Sequence, residues 1–183
     1  SGYLTVATVR PETIMGDVAI AVHPEDERYK HLHGKKVIVP LVNRAVPVIT
    51  DEAIDLEFGT GCLKVTPAHD QVDYEIGQRH NLPVIDVLNE DGTISAEGKV
   101  YVGDDRFVAR KKAIKDLTAQ GLVEKVEDYT NNVGHSERTN SPIEPRLSMQ
   151  WYLSMKKISE PALKAVLNEE VNLIPGKFVN TYK

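Results

Sequence analysis

Short β-rich runs bounded by prolines constrain this chain more than any other feature. The runs cover residues 3–9, 18–22, 37–39, 46–49, 62–66, 84–88 and 122–126. Prolines at 40, 47, 67 and 83 stand near their ends, where a missing N–H costs least. Helical periodicity is rarer. Residues 104–121 begin with two aspartates, place Phe107, Ile114 and Leu117 on one side and stop at Gly121. A shorter helix is expected over 70–80, and a third over 159–168 with Pro161 in its first turn. Many short strands, few helices and no regular alternation between them predict an α+β, β-rich fold. Its core is a curled mixed sheet or β-barrel-like sheet with a few peripheral helices, not a doubly wound sheet.

A chain of 183 residues with 41% hydrophobic content is long enough for one globular core. No apolar run approaches the roughly 18 residues of a membrane helix and no leader pattern is visible, so a soluble, cytoplasmic protein with no membrane partner is expected. The single cysteine, Cys62, rules out an internal disulfide and a zinc site of several thiolates, and its apolar neighbours make it a small buried residue. With 27 acidic against 22 basic residues, the net charge of −5 argues against coating nucleic acid by bulk charge. The sequence opens inside an alternating pattern without methionine and reads as a piece excised from a larger protein. Composition changes near Asn131, where a polar loop begins. A main domain over 1–150 and a connecting segment over 151–183 are the expected divisions.

The densest chemistry lies in Lys64-Val-Thr-Pro-Ala-His-Asp-Gln-Val-Asp73. Strand alternation points Lys64 to the face of Cys62 and Thr66, opposite Leu63 and Val65. The plain reading of such a lysine is a solvated face. Asp70 and Asp73 have the spacing of a helix cap with an acidic third residue, or else one of them holds a substrate ammonium. His69 can be read as a base or a metal ligand, but no other histidine pairs with it at ligand spacing. His31 and His33 are a loop pair in a charged run. Gly59-Thr-Gly61 precedes a strand instead of opening a helix, so it is a tight turn and not a phosphate loop. Thr8, Thr13 and Thr66 add hydroxyls, each an ordinary strand former when taken alone. A second polar run, Thr8-Val-Arg10-Pro-Glu-Thr13, also ends a strand pattern, so two strand ends can line one pocket. No nucleophile elbow is present. Hydroxyls, carboxylates and the two cations Lys64 and Arg10 suit the positioning of a water against an activated ester, with no metal.

These residues carry a resemblance. Thr8-Val-Arg-Pro-Glu-Thr13, His23-Pro-Glu-Asp-Glu-Arg-Tyr29, Phe58-Gly-Thr-Gly61, Lys64 to Gly77, Asn89-Glu-Asp-Gly92, Asp105-Arg-Phe107 and Val133-Gly-His-Ser-Glu-Arg138 resemble, in order, the blocks of the editing domain of class I valyl-tRNA synthetases. The likeness runs from about residue 4 to about Trp151. The related isoleucine type usually carries Thr-Pro-Trp-Thr where this chain has Arg10-Pro-Glu-Thr13, and the leucine type is expected to lack Lys64-Val-Thr66. The isoleucyl editing domain and a non-catalytic module for the tRNA end remain as alternatives, as does a metal-dependent hydrolase with His69, Asp70 and Asp73 as ligands.

The resemblance implies hydrolysis of threonine mischarged onto the valine tRNA. A hydrophobic pocket that accepts valine rejects isosteric threonine by only about 10², a figure already established for valyl-tRNA synthetases. A second pocket can correct this by hydrogen-bonding the β-hydroxyl. By motif position, Asp73 would receive the α-ammonium, Lys64, Thr66 and Asp70 would complete the pocket, and Phe58 would wall off the methyl. Thr8, Arg10 and Thr13 would face the terminal adenosine and the ester, and His69 or the substrate's ribose hydroxyl would orient the water. The implied partners are the 3′ end of tRNA(Val) carrying threonine and the aminoacylation domain of the same parent chain. Editing needs no cofactor; ATP with magnesium belongs to the parent's synthetic domain. Arg106, Arg110, Lys111, Lys112 and Lys115 crowd one helix and read as a solvated face, as do Lys35 and Lys36.

Overall fold

The computed structural model describes residues 2–182 and divides after Leu147 into two compact units. The first is built on four strands, β1 (Ala19–Val22), β2 (Lys36–Val39), β3 (Arg44–Thr50) and β4 (Cys62–Val65), in the order β2-β3-β1-β4. β1 runs parallel to β3 and antiparallel to β4, and β2 and β3 form an antiparallel pair. The expected mixed sheet with few helices is present; β2 and β4 are its two edges. Pro47 occupies the point where β3 changes partner, opposite β2 up to Pro47 and opposite β1 from Val48 onward. Its missing N–H therefore interrupts neither ladder.

Alternation sorts the sheet's two faces. Ala19 and Ala21 lie opposite Val65 and Leu63, and pack with Ile54 and Ile76. Ile20 and Val22 lie opposite Lys64 and Cys62, and pack with Val48 under Leu4, Val6, Tyr29 and Leu32. The first face is covered by α1 (Gln71–Arg79), which supplies Ile76. Against the neighbouring core lies α2 (Arg106–Ala119), capped by Asp105 Oδ1, which accepts the Phe107 N–H at 2.8 Å.

Several elements differ from those expected. Residues 2–9 form no ladder; Leu4 and Val6 keep the strand alternation and turn toward the core while their neighbours remain exposed. The run at 84–88 makes only the Leu88–Ile94 bridge, because the Val87 N–H donates to His69 instead of to a strand. The run at 122–126 lies almost wholly exposed, with no strand beside it. In α2 the buried stripe is Ala109, Ala113 and Leu117, whereas Phe107 is exposed beneath the Arg106 and Arg110 guanidinium groups at 4.4 and 5.4 Å. The alanines let the helix axis approach closely where a larger stripe would hold it off.

The second unit contains α3 (Met155–Leu167) and the short α4 (Val179–Tyr182). α3 begins four residues before the expected start, so Pro161 falls inside the helix and not in its first turn. Met149, Trp151 and Tyr152 are almost fully exposed. No helix among the described residues is long and apolar enough to cross a membrane.

Candidate functional site

The run Thr8 to Thr13 does not end a strand. It leads into a 3-10 turn, Pro11–Gly16, whose six residues are all buried. Proline at its first position fixes φ for the turn, and the Thr13 hydroxyl donates to the Arg10 carbonyl at 3.0 Å. This turn inserts two charged groups into the interior, Glu12 within it and Asp17 directly after it.

Lys64 is the centre of one buried cluster. It projects from β4 and is 8% exposed, so the solvated-face reading does not apply. Its Nζ donates to Thr66 Oγ1 at 2.6 Å, to Asp17 Oδ1 at 3.2 Å and to Thr13 Oγ1 at 3.4 Å. Thr66 Oγ1 in turn donates to Asp17 Oδ1 at 2.6 Å. An ammonium has three donors and no acceptor, so these three oxygens account for all of them. Burial pushes the Asp17 carboxyl up, opposed by Lys64, Thr66 and Arg44.

Asp73 joins the cluster through Thr66, whose backbone N–H donates to Asp73 Oδ2 at 2.8 Å. The two aspartates of the helix start have separate roles. Asp70 is the N-cap of α1, accepting from Val72 N at 2.8 Å and Asp73 N at 3.1 Å, and it is exposed. Its carboxylate is engaged at the helix start and makes no hydrogen bond to Lys64, Thr66 or Asp17. Asp73 is buried, does not reach back to the Asp70 amide as a capping box would, and has its pKa pushed up to about 6 by desolvation against the pull of the Thr66 amide and Lys64.

His69 is not placed to act as a base. It is 1% exposed, and Nε2 accepts the Val87 N–H at 3.0 Å, so the lone pair a base would use is occupied and the ring proton is assigned to Nδ1. Burial pushes its pKa down to about 4, against Asp86 and the Pro145 backbone. Its carbonyl accepts from Arg10 Nη1 at 2.8 Å. Phe58 is 74% exposed on the loop before β4, outside every core cluster. Gly59 and Gly61, at φ +58° and +73°, make the expected tight turn.

A second cluster lies around Arg10. Glu12 has no exposed surface and is held in the fork of Arg110, Nη2 to Oε1 at 2.6 Å and Nε to Oε2 at 2.8 Å, with Arg10 Nε at 3.7 Å. Glu144 pairs with Arg10 and accepts from Arg106 Nε at 2.8 Å. Arg10 is thus tied inward through Nη1 and Nη2, and two of the five cations on α2 belong to the interior network. Lys112 pairs with Asp104 at 2.6 Å, leaving Lys111 and Lys115 exposed. Thr8 lies at the exposed side of this group, its hydroxyl accepting the Arg10 N–H at 3.0 Å.

Sequence reasoning missed Asp17, Glu12 and Glu144. A signal existed for the first: Asp17 interrupts the apolar stretch Ile14-Met-Gly-Asp-Val-Ala-Ile20, and an acid inside such a stretch is buried only with partners. Arg106 and Arg110, one helical turn apart, were a weaker signal for an acidic partner. Among the described residues no three His, Cys, Asp or Glu side chains converge as ligands of one metal ion do.

What the first cluster can do chemically follows from its donors and acceptors. The protons of Thr13 and Thr66 are directed to Arg10 O and Asp17, and Lys64 is saturated. The remaining capacity is acceptor only: lone pairs on the two hydroxyls and on the Asp73 carboxylate. Such a set suits a ligand rich in donors, with an ammonium and a hydroxyl.

Residues 23–131 match the family described as "Leucyl-tRNA synthetase, editing domain". The chain is similar to Valine--tRNA ligase of Christiangramia forsetii, 56% identical over 181 residues, 99% of this chain and 21% of that protein. It is 59% identical to Valine--tRNA ligase of Porphyromonas gingivalis, again over 99% of this chain and 21% of that protein, and 54% identical to that of Anoxybacillus flavithermus over 100% and 21%. The chain therefore spans about a fifth of the length of these relatives. A crystal structure described as GlLeuRS-CP1 superposes with a TM-score of 0.52 at 13% identity, covering 69% of this chain and 83% of that one, a likeness of fold. The buried polar cluster on this sheet thus sits in a member of the synthetase editing-domain family, of the type found in valine–tRNA ligases.

Proposed function

We propose that this chain is the editing domain of a valine–tRNA ligase and hydrolyses the ester of threonyl-tRNA(Val). The observation that carries the reading is the acceptor-only cluster of Asp73, Thr66 and Thr13 around a saturated Lys64. Threonine and valine have nearly the same shape, and they differ in one hydroxyl donor. A cluster of buried acceptors favours the first and leaves its own groups unpaired with the second.

In this reading the ionised Asp73 receives the α-ammonium, and a lone pair of Thr66 or Thr13 accepts the β-hydroxyl proton. Water adds to the ester carbonyl carbon, the bond from that carbon to the ribose oxygen breaks, and the water proton passes to the departing oxygen. Because the His69 lone pair is occupied, the substrate's adjacent ribose hydroxyl is the group that orients this water. Positioning suffices for an ester with so good a leaving group. Thr8 and Phe58, both exposed, are left to meet the tRNA end from outside the cluster. Lys64, Thr66 and Thr13 shape the acyl pocket, while Arg10 and Asp70 hold the turn and the helix start that present it.

The wider partners follow from the same reading. The tRNA(Val) 3′ end is the substrate, and the aminoacylation domain of the parent chain is the neighbour that covers Met149, Trp151 and Tyr152. The protein works in the cytoplasm; ATP and magnesium serve only the synthetic domain, and editing uses no cofactor. The test is release of threonine from threonyl-tRNA(Val) compared with valine from valyl-tRNA(Val), with and without a chelator. Threonine release at least a hundredfold faster, unchanged by the chelator, is expected. Binding of the tRNA end without release would make the chain a binding module, and loss on chelation would make it a metal-dependent hydrolase.

A further inference from the structure

Asp17 stands outside every motif that suggested a site, yet it touches the two side chains on which selectivity would depend. It is 4% exposed and its Oδ1 lies 2.6 Å from Thr66 Oγ1 and 3.2 Å from Lys64 Nζ. The direction of these bonds is fixed by elementary chemistry. An ammonium can only donate, so Thr66 Oγ1 must accept from Lys64 at 2.6 Å. The single Thr66 proton then goes to its other near oxygen, Asp17 Oδ1. Thr13 is oriented in the same sense, since it accepts from Lys64 and gives its own proton to the Arg10 carbonyl.

We propose that Asp17 is a positioning residue for selectivity: by taking the Thr66 proton and one Lys64 proton, it fixes the direction of the chain Lys64–Thr66–Asp17 so that a substrate hydroxyl meets an acceptor. This deepens the deacylase reading and rests on it. Without Asp17 the Thr66 hydroxyl is free to turn its proton toward the ligand, and one Lys64 N–H is released. The pocket then offers donors as well as acceptors, and the difference between a side chain with a hydroxyl and one without it diminishes. The backbone supports the same arrangement. Arg44 Nη1 donates to the Met15 and Asp17 carbonyls at 2.9 and 3.0 Å, which fixes the segment that carries Asp17. On Gly16 a β-carbon would stand 3.0 Å from Thr66 Cγ2 and 3.1 Å from the Ile85 carbonyl, so glycine lets this segment lie close to Thr66 without displacing either neighbour.

The test uses the full-length parent synthetase, with kcat and KM measured for threonyl-tRNA(Val) and valyl-tRNA(Val). Asp17→Ala should lower the threonyl-over-valyl ratio of kcat/KM at least tenfold, chiefly by raising KM for the threonyl ester. Asp17→Asn retains a neutral acceptor oxygen and should lower the ratio about three- to tenfold. Thr66→Val should lower it as well, and in that background neither substitution at 17 should lower it further, because Asp17 acts through the Thr66 hydroxyl. If Asp17→Ala fails to fold, the Asp17→Asn and Thr66→Val cycle decides alone. An unchanged ratio, an equal loss on both esters, or additive losses in the cycle would overturn the role of Asp17 while leaving the deacylase reading intact. A wild-type protein that releases no threonine would overturn the deacylase reading, and this proposal with it.

Discussion

Replacing Asp73 by asparagine separates the structural from the chemical use of its carboxylate. Asparagine keeps the shape and an acceptor for the Thr66 amide, now 2.8 Å from Oδ2, and removes the charge. In the folded protein desolvation raises the Asp73 pKa from 3.8 to about 6. A carboxyl raised in this way favours folding fully only below its unfolded value; that contribution is lost as pH rises through about 6. The rise is about two pH units, and at about 1.4 kcal/mol for each the charged form costs about 3 kcal/mol of stability above pH 7. Asp73→Asn should therefore match the wild type near pH 4 and exceed it by about 2–3 kcal/mol at pH 8. Urea unfolding followed by circular dichroism at pH 4, 6 and 8 measures the difference. His69 contributes with the opposite sign: its pKa falls from 6.5 to about 4, so its stabilisation is complete above about 6.5 and lost toward 4. It is present in both proteins and cancels. The same variant should lose at least a hundredfold in threonyl-ester kcat/KM, and wild-type activity should fall on the acid side with a midpoint near 6. A stability difference that does not change with pH, or a variant as active as the wild type, would refute this account of Asp73.

Arg110→Ala should destabilise the chain by about 3–5 kcal/mol in urea unfolding, because it leaves the fully buried Glu12 carboxylate with only the 3.7 Å contact to Arg10. Arg110→Lys should recover only part of this, since an ammonium cannot reproduce the two-pronged contact. Gly16→Ala should cost about 1–3 kcal/mol by overpacking against Thr66 and the Ile85 carbonyl, and should raise KM for the threonyl ester. The His69 ring should remain neutral, with its proton on Nδ1, from pH 5 to 8 by ¹⁵N NMR; a titration near 6.5 would contradict its burial and its bond to Val87.

Local pattern made much of this molecule legible. Four of the expected runs became β1 to β4 with their faces correctly alternated, and Lys64 shares the Cys62 side as its spacing required. Asp70 and Asp105, at the starts of their helices, cap them. The runs at 3–9, 84–88 and 122–126 have equal strand character but no strand beside them, and a strand needs a partner for its N–H and C=O groups. His69 and Arg10 carry interior bonds that no local pattern announced, because what a side chain can offer depends on what already occupies it.

The sequence by itself determined which segments could pair, where helices begin, and that lysine, hydroxyls and carboxylates would lie near one strand end, because these follow from period, capping and covalent neighbourhood. Only the tertiary structure decided that Asp17, 47 residues from Lys64, completes the cluster, that Asp73 faces inward while Asp70 caps, and that Glu12 lies within an arginine fork. Those outcomes depend on which polar groups meet when water is excluded. A buried charge is tolerated only with a partner, and that partner can come from any distance along the chain.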